Sequence, residues 1–306
     1  MKSLIIGAEG FVGRHLRAEL AAYGDVFATE RDCGSERKQN TFVLDICDKE
    51  NMAQVLASCK PDVIYHLAAQ SSVALSWKSP EATVNANILG TLHLLECVRQ
   101  LDYRPRVLLI GSSEEYGKIA ETANPIVETT LCKPENIYAI TKCTQNQLGT
   151  LYARAYGMDI VLTRTFNCIG VGQSEAFVVP SFAAQLADIA KQKRKPVIRV
   201  GNLSARRDFT DVRDVVRAYR LLAEKGTAGE TYNVGSGKAQ SVHSLLEQLI
   251  ALSGLPVTVE VAAEKYRPVD LPLSEADITK LQAATAWQPT IPLSQTLREV
   301  LEWKME

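Results

Sequence analysis

A glycine triplet just after the first apolar run constrains this chain more than any other feature. Gly7, Gly10 and Gly13 follow Ser3-Leu4-Ile5-Ile6 directly and open an amphipathic stretch over residues 10–23. Glycines at such a turn let the backbone bend sharply and approach a pyrophosphate closely. The helix behind them offers free N–H groups and the positive end of its dipole. Phe11 and Val12, between the last two glycines, fall in its first turn. A glycine triplet alone is weak evidence; its position between a strand and a helix gives it meaning.

The rest of the first half keeps the same alternation. Residues 25–29, 62–66, 106–110 and 159–163 read as short buried strands. Between them lie longer helical stretches, among them residues 81–99, with Ile88, Leu92, Leu95 and Val98 at helical spacing, and residues 136–156. Apolar strands alternating with helices predict an α/β fold of Rossmann type, a doubly wound parallel sheet with right-handed crossovers. After about Gly170 the loops lengthen and prolines accumulate. The expectation is therefore a dinucleotide-binding domain over residues 1–170 and a smaller mixed α/β substrate lobe over 171–306. Parts of residues 205–240 are placed to return to the main sheet. A length of 306 residues suits that division, since a single core rarely grows past about 250–300 residues.

Bulk composition excludes several function classes. The net charge of −1 gives no field to favour nucleic acid or an anionic membrane. No apolar run approaches the roughly 18 residues a membrane span needs. Seven cysteines, an odd number with no C-x-x-C pair, suggest free thiols in a reducing cytoplasm. The four histidines are scattered, so no metal site is expected. Lys191, Lys193, Arg194 and Lys195 read as a solvated helix end.

Candidate site residues collect where strands end. Glu30 and Arg31 close the second strand, beside the expected adenosine ribose. A carboxylate there suits a free 2′-hydroxyl and an arginine suits a 2′-phosphate; Arg31 favours NADP(H), with NAD(H) the alternative. Asp45 and Ile46 follow the next apolar run and are candidates for the adenine edge. Tyr138 and Lys142 lie four apart on a helix, on one face. An ammonium beside a phenol favours the phenolate and should draw its pKa down from about 10. A tyrosine so tuned can exchange a proton with a carbonyl oxygen during hydride transfer. Ser112, at a strand's carboxyl end, is placed to hydrogen-bond that oxygen. Hydride transfer needs no carboxylate, so Glu114 points to a second task.

Taken together, Gly7-x-x-Gly10-x-x-Gly13, Ser112 and Tyr138-x-x-x-Lys142 resemble the extended short-chain dehydrogenase/reductase family over nearly the whole chain. Within it the chain resembles the GDP-mannose branch, its 4-keto-6-deoxy-mannose reductases more than its 4,6-dehydratases. Dehydratases normally carry threonine at the Ser112 position, and an arginine-containing segment where this chain has Cys168-Ile169-Gly170-Val171-Gly172-Gln173. The resemblance implies a cofactor segment at Leu67, Ala68, Ala69 and Gln70 running into a substrate loop at Ser71 and Ser72. It implies that Asn167 faces the sugar nucleotide, that Arg207 and Arg267 serve the substrate diphosphate, and that Asp270, in the same motif as Arg267, belongs to the substrate site. Guanidinium forks suit phosphate oxygens. It further implies a GDP-sugar substrate and a homodimer through the two long helices. A 4,6-dehydratase with tightly bound NADP, using Glu114 to take the C5 proton, is the second reading. A non-catalytic NAD(P)-sensing protein is the third, disfavoured by the intact Ser112, Tyr138 and Lys142.

Overall fold

The computed structural model describes residues 1–31, 39–262 and 271–306. Seven parallel strands form the main sheet. They are β1 (Lys2–Ile6), β2 (Asp25–Glu30), β3 (Thr41–Val43), β4 (Val63–His66), β5 (Arg106–Ser112), β6 (Ile160–Thr165) and β10 (Thr231–Val234). Their spatial order is β3-β2-β1-β4-β5-β6-β10, the doubly wound arrangement expected of a Rossmann-type sheet. Chain direction of travel reverses between β1 and β4, the switch point at which such sheets bind ligands.

Alternation of side chains across each strand explains why both faces are covered. Ile5, Leu108 and Val161 point to one core, shared with α1 (Phe11–Leu20), α8 (Val212–Lys225) and α10 (Thr279–Thr285) through Leu16, Tyr219 and Leu281. Their neighbours Leu4, Ile6, Val107, Leu109, Ile160 and Leu162 point to the other. That side is closed by α2 (Lys49–Cys59), α5 (Gly90–Arg99) and α6 (Ile137–Tyr156), through Met52, Leu94 and Tyr152. Gly149 of α6 lets that helix seat against the sheet: an added Cβ would meet Leu109 Cδ1 at 2.5 Å.

A third core lies outside the sheet. Here α7 (Val178–Ala190), α9 (Val242–Ser253) and α11 (Leu293–Met305) enclose Val179, Phe182, Leu186, Leu245, Leu249, Leu297 and Val300. A small mixed sheet borders it: β9 (Arg206–Asp211) pairs antiparallel with β11 (Ala239–Ser241) and parallel with β7 (Asn167–Ile169) and β13 (Leu273–Ser274). β8 (Val197–Val200) and β12 (Thr258–Val261) form a separate parallel pair. Besides β10 and α8, the late helix α10 and Trp287 also pack on the main sheet's first core, a return that residue patterning did not indicate.

One helical stretch differs from the even helix its spacing suggests. Residues 81–99 form α4 (Pro80–Val84), a π turn over Asn85–Leu89, and α5. The π turn is functional geometry in many folds, and here it delivers Asn87 inward. No helix among the described residues is long and apolar enough to cross a membrane.

Candidate active site

Three loops meet at the carboxyl edge of the sheet: those after β1, β4 and β5. The first is built from backbone. Gly7 has φ +93°, and a Cβ there would lie 2.8 Å from the Ala68 backbone nitrogen. A Cβ on Gly13 would lie 2.4 Å from the Gly7 carbonyl oxygen. Gly10 caps α1 with no side-chain hydrogen bond, so the N–H groups of Phe11, Val12 and Gly13 face outward without a side-chain acceptor at the cap. The turn is tied to β2 by Gly7 N–H donating to Thr29 Oγ1 at 3.2 Å. An uncapped helix start against a glycine turn suits a pyrophosphate. At the end of β2, Glu30 is buried and Arg31 exposed. Asp45 is exposed and accepts from Cys47 N–H at 2.9 Å. Ile46 packs beneath Gly90 of α5.

After β4 the backbone of Leu67 and Ala68 is fixed by N–H donations to Ile6 O at 3.0 and 2.8 Å. Gln70 is held on both sides of its peptide: its N–H donates to Asn87 Oδ1 at 2.8 Å, and Asn87 Nδ2 donates back to its carbonyl at 3.0 Å. Asn87 also donates to Thr141 Oγ1 at 2.9 Å. One buried amide thus binds this loop to α6, the helix that carries Tyr138 and Lys142. Ser71 is exposed, and Ser72 caps the short helix α3 (Val73–Lys78) by accepting from Leu75 N–H.

The loop after β5 forms a capping box. Glu114 N–H donates to Ser112 Oγ at 3.2 Å, and the Glu115 carboxylate accepts from Ser112 N–H at 2.9 Å. Asn136 caps α6 by accepting from Ala139 N–H, and with its Nδ2 donates to Glu114 Oε2 at 3.1 Å. That bond draws Glu114 to the start of the helix, next to Tyr138. The Ser112 side chain lies within electrostatic reach of the Tyr138 hydroxyl. Ser112, Glu114 and Tyr138 therefore converge. Lys142 lies one turn along α6, 3% exposed, with its ammonium donating to Ile110 O at 2.7 Å and Gln145 Oε1 at 3.0 Å.

The electrostatics differ from the sequence expectation. Burial pushes the Tyr138 hydroxyl well above its ordinary range; the Ser112 hydroxyl opposes this, and the charges of Glu114 and Glu115 add to it. Burial pulls Lys142 down to about 8, with Glu115 acting the other way. An ammonium committed to Ile110 and Gln145 does not draw the phenol down here. The phenol is held in its protonated form.

Substrate candidates are more scattered. Asn167 opens β7 and is exposed. Arg207, the second residue of β9, donates to the carbonyls of Arg206 and Leu271. Arg267 and Asp270 lie outside the described residues. Patterning missed Asn87, Gln145, Asn146, Arg164 and Glu115. Only Glu115 left a trace in the sequence, as a second acid beside Glu114. Near the glycine turn, His15 Nε2 of α1 lies 2.9 Å from Val171 O, just after β7.

The family described as GDP-mannose 4,6 dehydratase matches residues 4–300. GDP-6-deoxy-D-mannose reductase of Pseudomonas aeruginosa is 32% identical, over 98% of this chain and 96% of the relative. GDP-mannose 4,6-dehydratase of Vibrio cholerae is 27% identical, over 98% and 92%. The solved structure of RMD from Pseudomonas aeruginosa complexed with NADPH superposes with a TM-score of 0.89 at 31% identity, covering 100% of this chain and 99% of that one. With a Rossmann-type sheet, a glycine turn at its switch point and a match across both lobes, the chain belongs to the GDP-mannose 4,6-dehydratase family of extended short-chain dehydrogenase/reductases.

Proposed function

We propose that this protein uses NADPH to reduce the C4 keto group of GDP-4-keto-6-deoxy-mannose, giving GDP-rhamnose or its C4 epimer. The convergence of Ser112 and Glu114 on the start of the helix that carries Tyr138 and Lys142 carries the reading, in a chain similar along its whole length to a reductase of that substrate class. Gly7, Gly10, Phe11, Val12 and Gly13 would hold the pyrophosphate. Glu30, Arg31, Asp45 and Ile46 would line the adenosine end, and Leu67, Ala68, Ala69 and Gln70 the far side. Bound there, the dinucleotide supplies a hydride. Tyr138 gives its proton to the C4 oxygen, and Ser112 hydrogen-bonds the same oxygen. A phenol raised by burial stays protonated at neutral pH, the state a reduction requires. Lys142 is the nearest cation on α6 to replace that proton's charge. Ser71, Ser72, Asn167 and Arg207, together with Arg267 and Asp270, are the proposed substrate contacts.

NADP(H) is favoured over NAD(H) because Arg31 is the exposed member of the Glu30–Arg31 pair and because the similar reductase was solved with NADPH. A second reading rests on Glu114: held by Asn136 beside Tyr138, it could take the C5 proton in a GDP-mannose 4,6-dehydration. We also propose a homodimer. Val84 and Leu89 before α5, and Ile140 and Leu151 on α6, are large apolar side chains left exposed in one chain. Free thiols at Cys47, Cys59, Cys97, Cys132, Cys143 and Cys168 support a reducing, cytoplasmic setting.

The test mixes the protein with NADPH and either GDP-4-keto-6-deoxy-mannose or GDP-mannose, following absorbance at 340 nm and identifying products by NMR. NADPH loss with the keto sugar alone is the expected result. Conversion of GDP-mannose to a keto sugar without net NADPH loss would replace the reductase by the dehydratase.

A further inference from the structure

Glu115 has no role in the reaction as described, yet it is fully buried directly behind it. Its carboxylate accepts only. Ser112 N–H reaches Oε1 at 2.9 Å, Asn146 Nδ2 reaches both oxygens at 2.9 Å, and Arg164 Nε reaches Oε2 at 3.0 Å. No apolar residue at this position could make these bonds, and the Ser112 N–H and Arg164 Nε would be left without these acceptors.

The placement relative to Lys142 follows from the helix. Lys142 and Asn146 are one turn apart on α6, on the same face. Asn146 holds Glu115, while Lys142 holds Ile110 O, the residue two before Ser112. Gly111 lies between them with no room for a side chain: a Cβ would meet Glu115 Oε1 at 2.4 Å and Asn146 Nδ2 at 2.5 Å. Ammonium and carboxylate are thus brought to the two sides of one glycine.

We propose that Glu115 is the positioning carboxylate of this site, anchoring Ser112 through its backbone and serving as the buried counter-charge of Lys142. The charged and titratable groups facing it are Arg164 from β6, Lys142, Tyr138 and Cys143 from α6, Cys132 from the preceding loop, and Glu114 on its own turn. Arg164 is spread over other partners: it donates to Glu128 O at 2.9 Å and lies over the Tyr116 ring. Arg164 is ion-paired to Glu115 directly, and Lys142 lies one helical turn from Asn146, which holds the carboxylate, so removing the charge takes the ion pair from Arg164 and a buried anion from the neighbourhood of Lys142. Burial pushes the Glu115 carboxyl up to about 7, against the opposing pull of Arg164 and of the donors from Ser112 and Asn146. A carboxylate with every bond taken by a donor has no acceptor for a proton of its own.

The inference rests on the reductase reading for its catalytic meaning, but its test does not need turnover. Lysine labelled with carbon-13 and nitrogen-15 would be incorporated into the full protein, and the Lys142 signal, assigned with Lys142→Arg, titrated in wild type, Glu115→Gln and Glu115→Asp. The pKa of Lys142 is expected to fall by about one unit in Glu115→Gln and to return toward wild type in Glu115→Asp, which keeps the charge. Superimposable Lys142 titrations in all three proteins would overturn the proposal. If Glu115→Gln does not fold, the comparison of Glu115→Asp with Glu115→Asn decides by the same criterion. Failure of wild-type turnover with the keto sugar would sink the reductase reading alone. Where turnover is present, the alkaline limb of kcat/KM should move down with Lys142 in Glu115→Gln, with NADPH affinity unchanged.

Discussion

The turn after β1 and the corner between β5 and α6 lie two strands apart on one sheet edge, and they are built in opposite ways. The turn is made of backbone: it works because Gly7 and Gly13 have no side chains to obstruct Ala68 and the Gly7 carbonyl. The corner is made of side chains: Ser112, Glu114 and Lys142 are each held by a named polar partner, and Tyr138 is tied through its N–H to Ser76 Oγ. Absence of atoms specifies the first and a hydrogen-bond network specifies the second. The first should therefore fail sterically and the second chemically.

The largest expected effect separates these failures. Tyr138→Phe removes the proton donor and little else, so turnover of the keto sugar should drop roughly 10²–10⁴-fold. NADPH binding, followed by fluorescence titration, should hold. A variant with near-normal turnover would remove Tyr138 from the proposed chemistry. Gly13→Ala makes the opposite test. Its methyl would enter against backbone atoms of Gly7 and Ala8, which cannot rotate away as a side chain can. Urea unfolding should show a loss of about 1–3 kcal/mol, with NADPH affinity falling in parallel. Undiminished stability and binding would mean that the turn has slack the structure does not show.

The same contrast explains what could be read from the residues. A backbone site leaves a spacing in the sequence, because each glycine answers a local steric demand; Gly7, Gly10 and Gly13 were legible for that reason. Tyr138 and Lys142 were legible because helix periodicity puts them on one face. Their electrostatics were not. The expectation that Lys142 lowers the phenol overlooked burial and the capture of the ammonium by Ile110 and Gln145. Asn87 was out of reach for a different reason: its inward direction depends on a π turn inside what reads as regular helix. The main sheet followed from buried runs alone. The return of α10 and Trp287 to it did not, because short helices in proline-rich sequence carry little periodic signal.

His66 extends the side-chain network beneath the site and gives a smaller, pH-dependent test. It is fully buried at the end of β4, with Nε2 3.0 Å from Thr91 Oγ1 and no hydrogen-bond partner for Nδ1 among the described residues. Burial, with the Lys142 charge, pulls its pKa down to about 3. Between that value and the ordinary one near 6.5, the unfolded chain binds a proton that the native protein does not. Stability from this group thus rises with pH through that window and is lost on acidification. Lowering pH from 7 to 5 should cost about 2 kcal/mol through His66. His66→Gln should make the acid-side decline in unfolding free energy shallower by that amount. Identical slopes for the two proteins would show that the native state accommodates the charged imidazole.

The smallest effect concerns an exposed side chain at the backbone-built end. Arg31 is exposed at the end of β2, while its neighbour Glu30 is buried. An exposed guanidinium is screened by solvent and salt, so its contribution to a 2′-phosphate should be modest and should shrink as ionic strength rises. Arg31→Ala is expected to weaken NADPH binding about tenfold at low salt, the lower end for a charge-assisted bond, and to leave NADH within about twofold. The ratio of the two dissociation constants isolates the 2′-phosphate, because both dinucleotides share the glycine turn. An unchanged ratio would remove Arg31 from cofactor selection and shift attention to Glu30, whose buried carboxylate would then define the ribose site as one suited to NAD(H).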